Sequence, residues 1–451
     1  MLSGELVYKQ IKYHFTYENN ELRMDAIESG GFSFFSHFAN DHGLHLEEEY
    51  LLGECFSTGN KVVFVPKYDS FSASNDTMIV AIKHVIQFNR DIETIYAICI
   101  EAIELDYIYN VNRSISYSFS DGMSVENIGI HSQDETTINC GEIRVDSIAV
   151  QCIFKIIQRL RLGPVKEPIQ LSSCIELVFT PTSDYKFIIS LCYYIRGLLR
   201  FLCYRRNISI SSVILYSDST GIAHQCGDLI FGSGPQEAET QKVIKDRYIP
   251  FDYLHPHISE ILQDIIDGQL YLAHLPATAA QGKEITNASF LMTAAAFEAE
   301  FSRLYPDGLP SSESRIRAQT AAEASIQNLI ETTQGKEKDI YKFLKKMIRT
   351  DATKEKVALA ARDYGDVADI FGKHLFALNH REFEYSTIGQ RVFDQRNIFA
   401  HGKRSDFIPG AFLDVMYLEY LIYGMQLSKY GIEKLNIQKA INKLFGKNLA
   451  L

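Results

Sequence analysis

The sequence predicts an α+β protein in which a β-rich, sandwich-like N-terminal domain precedes an all-α helical bundle. Three observations carry this. Residues 1–180 break into short runs rich in Val, Ile, Tyr and Phe, separated by turn residues, which is the patterning of strands. From Pro256 onward apolar residues recur at helical spacing, and the short loops between those segments imply antiparallel neighbours. At 451 residues the chain also exceeds what one core ordinarily organises. The expected boundaries are a β-rich domain over 1–232, a linker and connecting helix over 233–283, and the helical bundle over 284–451.

In chain order, Lys61–Val65, Thr94–Ile100 and Ser114–Phe119 read as strands, divided by turn chemistry such as Ser57-Thr58-Gly59-Asn60 and Ser120-Asp121-Gly122. Asp76–Phe88 and Val145–Arg161 break the alternation and read as helices. Ser183/Asp184 supplies an N-cap for a longer helix that Arg205-Arg206 closes with charge suited to a helix C-terminus. Strands Val213–Ser217 and Gly227–Phe231 finish the domain. The stretch from Gly232 to Gln241 reads as a surface loop, and no Gly-Lys-Ser/Thr follows that would make it a phosphate-binding loop. Helices are then expected at His257–Gly268, Glu284–Tyr305, Ser311–Thr333 and Lys336–Arg349. Further helices are expected at Tyr364–Asn379, Thr387–His401, Phe412–Tyr430 and Glu433–Phe445.

Composition narrows the function classes. Hydrophobic content of 46% is that of a packed chain rather than a disordered one. The N-terminal residues lack the basic start and apolar run of a signal peptide. The most apolar stretch, Phe187–Cys203, is interrupted by Arg196 and Arg200, so no membrane partner is expected. Eight cysteines without Cys-x-x-Cys spacing read as reduced core thiols, and a cytoplasmic protein is expected. Residues 281–451 carry 24 Lys+Arg against 21 Asp+Glu, a net of +3, while the remaining 21 and 35 leave residues 1–280 at −14. Phosphates are drawn to positive potential, so any nucleic acid is expected on the C-terminal half, in a short contact. His42, His45 and Glu47–Glu49 read as a solvated acidic loop rather than a metal site, and no metal or cofactor is expected.

One segment places chemistry at a defined spacing. Phe393-Asp394-Gln395-Arg396-Asn397-Ile398-Phe399-Ala400-His401-Gly402 sets an arginine five residues before a histidine. Arginine stays charged and grips phosphate with a planar fork, and histidine takes and returns protons near neutrality. That pair is sufficient to cut RNA, because the 2′-OH nucleophile arrives with the substrate. On a regular helix the two side chains stand about 140° apart, too wide to converge on one atom. Either the last turn unwinds at Gly402, or a second copy of the helix supplies the missing half. Arg391, Lys403 and Arg404 are the neighbouring cations that could extend an RNA contact or merely form a solvated helix face. Glu298, a carboxylate in a run of Ala and Phe, needs a partner wherever it is buried.

The stretch Arg396–Gly402 resembles the signature of HEPN-domain ribonucleases. Upstream, Ala288–Glu298 is similar to the first long helix of that family, with its acidic residue, and Ala411–Tyr430 is similar to a final helix packing back on the bundle. The β-rich region with Asp184–Arg206 and Ser211–Tyr216 resembles the N-terminal domain of ApeA-like abortive-infection proteins. The likeness is specific over about residues 284–430 and looser over 1–280. It implies a metal-independent endoribonuclease acting in anti-phage defence, as a homodimer through the HEPN domain with a composite site. The implied roles are Arg396 on the scissile phosphate, His401 as general base or acid, Asn397 positioning phosphate or His401, and Glu298 orienting Arg396. The implied partners are an RNA substrate, tRNA among the candidates, and a phage-derived trigger at the N-terminal domain. The alternative is a catalytically silent HEPN bundle serving dimerisation or nucleotide binding, or a ligand-binding scaffold.

Overall fold

Along the first three strands, β1 (Leu2–Tyr8), β2 (Ile11–Glu18) and β3 (Glu21–Ala26), buried apolar residues alternate with exposed polar ones, which places one face against a core. The turns between them, Lys9-Gln10 and Asn19-Asn20, have positive φ at both residues, the geometry that matches the twist of an antiparallel hairpin. The computed structural model describes residues 1–27, 39–40, 43–44, 49–73, 77–119, 124–161, 163, 168–218, 221–232, 239–310, 313–348, 353–400 and 406–451.

The strands that follow are β4 (Ala39–Asn40), β5 (Gly43–Leu44), β6 (Leu51–Cys55), β7 (Lys61–Ala73), β8 (Thr77–Phe88) and β9 (Ile95–Glu101). After them come β10 (Ile115–Phe119), β11 (Val125–Ile130), β12 (Ile138–Val145), β13 (Ile148–Leu160), β14 (Ile169–Thr182), β15 (Ser212–Ser217) and β16 (His224–Phe231). Twelve of these form one sheet in the order β12-β13-β14-β9-β15-β16-β8-β3-β2-β1-β6-β7, and β7 pairs back onto β8. The last six therefore close into an antiparallel barrel, and the first six continue from β8 as an open sheet. This corrects the sandwich expectation, because twelve of the sixteen described strands form one continuous sheet curled shut at one end, and the pairs β10-β11 and β4-β5 stand apart from it. The barrel is filled by Leu6, Tyr8, Tyr13, Phe15, Leu22, Met24 and their neighbours. Gly4 and Gly53 make room for the Phe15 ring, since a Cβ on either would stand within 2.8 Å of it.

Two segments read as helices from sequence, Asp76–Phe88 and Val145–Arg161, are the long strands β8 and β13. Both are buried on two sides for part of their length. Strand β8 is shared by barrel and open sheet, and β13 lies between β12 and β14. Such strands lose strict alternation and imitate the apolar density of a helix. The turn read at Ser120–Gly122 lies outside the described residues.

Short helix α1 (Leu105–Ile108) precedes the long helix α2 (Tyr185–Cys203). Asp184 caps α2 by accepting hydrogen bonds from Lys186 N and Phe187 N at 3.0 and 3.1 Å, and Tyr204 ends it in the left-handed region. Arg205 is fully buried in an ion pair with Glu104 at 2.7 Å rather than tending the helix end. Next come α3 (Gln241–Asp246), α4 (Phe251–Leu254) and α5 (Ile258–Ile266). The helix expected at His257–Gly268 is α5, and all three helices belong to the first compact unit, which runs from Met1 to Asp267. The fastening is specific: Ile249 N donates to Leu202 O, and Gln263 both donates to and accepts from the Arg144 backbone. All eight cysteines are buried free thiols in this unit.

The second unit, Gly268–Leu451, is helical. Its helices are α6 (Asn287–Leu304), α7 (Glu313–Thr332), α8 (Gly335–Ile348), α9 (Thr353–Leu378), α10 (Tyr385–Ala400), α11 (Ala411–Ser428) and α12 (Lys434–Phe445). Thr286 and Ser289 form a reciprocal capping box at the start of α6. Helix α9 begins eleven residues before the expected Tyr364, and its extra turns carry functional candidates. Helix α11 is apolar on nearly every face and buried to match, with α6, α9 and α10 packed around it. No described helix is long and apolar enough to cross a membrane.

Candidate functional site

Helix α10 buries Ile388, Val392, Gln395 and Phe399, spaced to lie along one face. Arg396 follows the buried Gln395 and so stands at the margin of that face, its side chain 42% exposed. Gly389, about two turns earlier, sets what can approach. A Cβ there would stand 2.8 Å from both Cα and O of Lys354, so the glycine lets the start of α9 lie against α10 backbone to backbone. That contact brings Thr353 and Lys356 to the same end of the bundle as Arg396.

Glu298 of α6 is the centre on which these side chains meet. Its Oε2 accepts from Lys356 Nζ at 2.6 Å, and its Oε1 accepts from Thr353 Oγ1 at 2.8 Å. Arg396 Nη1 lies 3.7 Å from Oε1, within ion-pair range but beyond hydrogen-bond length. Lys356 also lies over the Phe301 ring at 5.5 Å. The cluster holds two cations and one carboxylate, with the carboxylate committed to Lys356 and Thr353. Arg396 keeps its fork of donors for another anion. The fully buried carboxylate of α6 is a different one, Glu300, held by Arg303 and by Gln426 of α11.

Immediately beyond α10 the chain is anchored again. The buried Gln395 accepts from Ile408 N at 2.6 Å and donates to Asp406 O at 3.4 Å. Phe399 and Phe407 meet edge to face at 5.1 Å, and Phe290 packs on both. These contacts tie Asp406, Phe407 and Ile408 back onto α10 and Phe290.

His401, Lys403 and Arg404 lie outside the described residues. Among the remaining sequence candidates, Arg396 and Glu298 are brought together, and half-buried Asn397 sits next to Arg396. Arg391 points to a different task. It grips Asp414 with two hydrogen bonds of 2.7 and 2.6 Å, and Asp414 is completely buried. Burial pushes the Asp414 carboxyl up to about 6, against the opposing pull of Arg391. Sequence reasoning missed Thr353, Lys356 and Gln395. The first two precede the expected start of their helix, and the third carries no signal beyond being a polar residue on the apolar face of α10. Of the histidines and glutamates weighed as a metal cluster near the N-terminus, only Glu49 is among the described residues.

Comparison of the chain with protein-family models, characterised proteins and solved structures gives no match.

Proposed function

We propose that this protein is a metal-independent endoribonuclease of the HEPN type, serving as an RNA-cleaving effector of anti-phage defence. The observation that carries the reading is the half-exposed Arg396 guanidinium beside a carboxylate already matched by Lys356 and Thr353. Arg396 binds the scissile phosphate and stabilises its pentavalent transition state. His401, five residues after Arg396 in sequence, takes the 2′-OH proton as the oxygen attacks phosphorus. The P–O5′ bond breaks and the departing oxygen takes a proton from water, to which His401 returns its own, leaving a 2′,3′-cyclic phosphate and a 5′-OH end. Asn397 orients the phosphate or the imidazole, and Glu298 limits the swing of Arg396. The chain acts as a homodimer in which two copies of α10 frame the cleft, and the β domain senses the trigger.

The chemistry of the cut tests this reading. In EDTA, wild-type protein is expected to cut an RNA oligonucleotide and leave the cyclic phosphate end. The same oligonucleotide with a single 2′-deoxy at the scissile position should resist. Cleavage of the deoxy substrate at the same bond would rule out attack by the 2′-OH.

A further inference from the structure

The first unit is strongly acidic in sequence, and its buried cations are generally matched. Lys155 meets Glu176 at 2.6 Å, Arg205 meets Glu104 at 2.7 Å, and Arg159 pairs with Glu101. Arg196 of α2 is the exception. It is 9% exposed, no carboxylate among the described residues pairs with it, and its Nε has no hydrogen-bond partner. Its guanidinium carbon lies 4.9 Å from the Tyr193 ring centre and 5.2 Å from that of Phe231.

The same place gathers more positive charge. Lys83 Nζ of β8 stands 5.0 Å from the Tyr193 ring. Arg200 lies one turn beyond Arg196 on α2, and its Nε donates only to the Arg206 carbonyl, at 2.9 Å. Neither Lys83 nor Arg200 has a carboxylate partner among the described residues. Burial and then the Arg196 and Arg206 charges push Arg200 down to about 10. Burial and then Lys83 and Arg196 hold the His84 imidazole down at about 4. His84 Nδ1 accepts from Gly232 N, so its Nε2 carries the proton and donates to the Tyr193 hydroxyl at 3.0 Å. The Tyr193 hydroxyl proton is then available to an acceptor.

An unneutralised buried charge costs several kcal/mol, and ring contacts return only part of that. Two cations on one tyrosine ring and a third one helical turn on, in a domain with carboxylates to spare, call for a multiply charged anion rather than a single carboxylate. We propose that Arg196, Arg200, Lys83 and the Tyr193 hydroxyl form a binding site for a small phosphate-bearing molecule. Arginine forks match phosphate oxygens two at a time, and the ligand supplies the negative charge that the fold withholds. The site lies wholly within the first unit and gives it a ligand class of its own, independent of RNA cleavage.

The test is calorimetric titration of full-length protein with inorganic phosphate and with pyrophosphate at low ionic strength. Carrying Arg396→Ala in every sample keeps the other proposed phosphate contact silent. One saturable site per chain is expected, tighter for pyrophosphate, with Arg196→Met and Arg200→Met each weakening it tenfold or more. Lys83→Met, at an exposed position, tests the same site without touching the core and should weaken it severalfold. Without ligand, Arg196→Met should melt no lower than its parent, and pyrophosphate should raise the melting temperature of the parent alone. Absence of saturable binding, or equal affinity in the parent and all three variants, would overturn the proposal.

Discussion

The Glu298 carboxylate lies 2.6 Å from the Lys356 ammonium, closer than the 3.7 Å that separates it from the Arg396 guanidinium. Lys356 is therefore the closer counter-ion of Glu298, and under the proposed function Arg396 is left to bind substrate. Removing the ammonium with Lys356→Met should let Glu298 capture Arg396 in a close pair. RNA cleavage is expected to fall about tenfold, the scale of roughly 1.4 kcal/mol in the barrier. Glu298→Gln in the same chain should restore most of the loss, because the amide cannot hold the guanidinium as an anion does. A purely structural role for Lys356 predicts the opposite, a double variant no better than the single one. Cleavage kinetics on the four proteins of the cycle decide between them.

Gln395 fastens the chain at Asp406 and Ile408 to α10. Gln395→Ala takes the acceptor from Ile408 N and empties a fully buried position. The expected cost is about 1–3 kcal/mol in urea unfolding. Cleavage should fall further than that loss of folded protein explains, since the tie from α10 to Asp406 and Ile408 is cut. Activity that tracks only the folded fraction would argue against a positioning role.

Gly389 governs the approach of α9 to α10. Gly389→Ala places a methyl group 2.8 Å from the Lys354 backbone, which cannot move aside as a side chain can. Overpacking of this kind costs about 1–3 kcal/mol. It should also carry Thr353 and Lys356 away from Glu298, so both the melting temperature and cleavage are expected to drop. A variant as stable and active as wild type would mean that the helices do not meet this closely.

Asp414 makes a pH prediction with a definite sign. Its carboxyl is raised in the folded state to about 6, so the folded chain holds this proton more firmly than the unfolded chain does. The stabilising contribution is complete below the unfolded value near 3.9 and is lost as pH rises through about 6. A shift of that size corresponds to roughly 3 kcal/mol. Compared with Asp414→Asn, which does not titrate, wild type should therefore lose relative stability between pH 4 and pH 6.5. Urea unfolding of the two proteins across that window checks the slope. A difference that stays flat or rises with pH contradicts it.

Much of the helical half is legible in sequence, because Gly and Pro stops and apolar spacing act locally. Where strands β8 and β13 were concerned, local pattern misled. Their runs of consecutive buried residues, His84–Ile86 and Phe154–Ile156, arise only in the assembled sheet, and nothing in the segments themselves separates a doubly buried strand from a helix. The site divides the same way. Arg396 and Glu298 stand out as a cation in a spaced motif and a carboxylate among Ala and Phe. Lys356 is an ordinary lysine until Gly389 brings its helix against α10. Arg391 looks like another phosphate contact until Asp414, 23 residues later, is seen to hold it. Arg196 read only as an interruption of an apolar run, and its missing counter-ion became visible once the sheet and helix were assembled.

The most direct test of the central claim is RNA cleavage in EDTA by wild type beside Arg396→Ala and His401→Ala, with folding verified by circular dichroism. Wild type is expected to cut RNA without added metal, and both folded variants are expected to lose the activity. Equal behaviour of the three proteins, cutting or not, would contradict it and leave the helical unit as a scaffold without chemistry at Arg396.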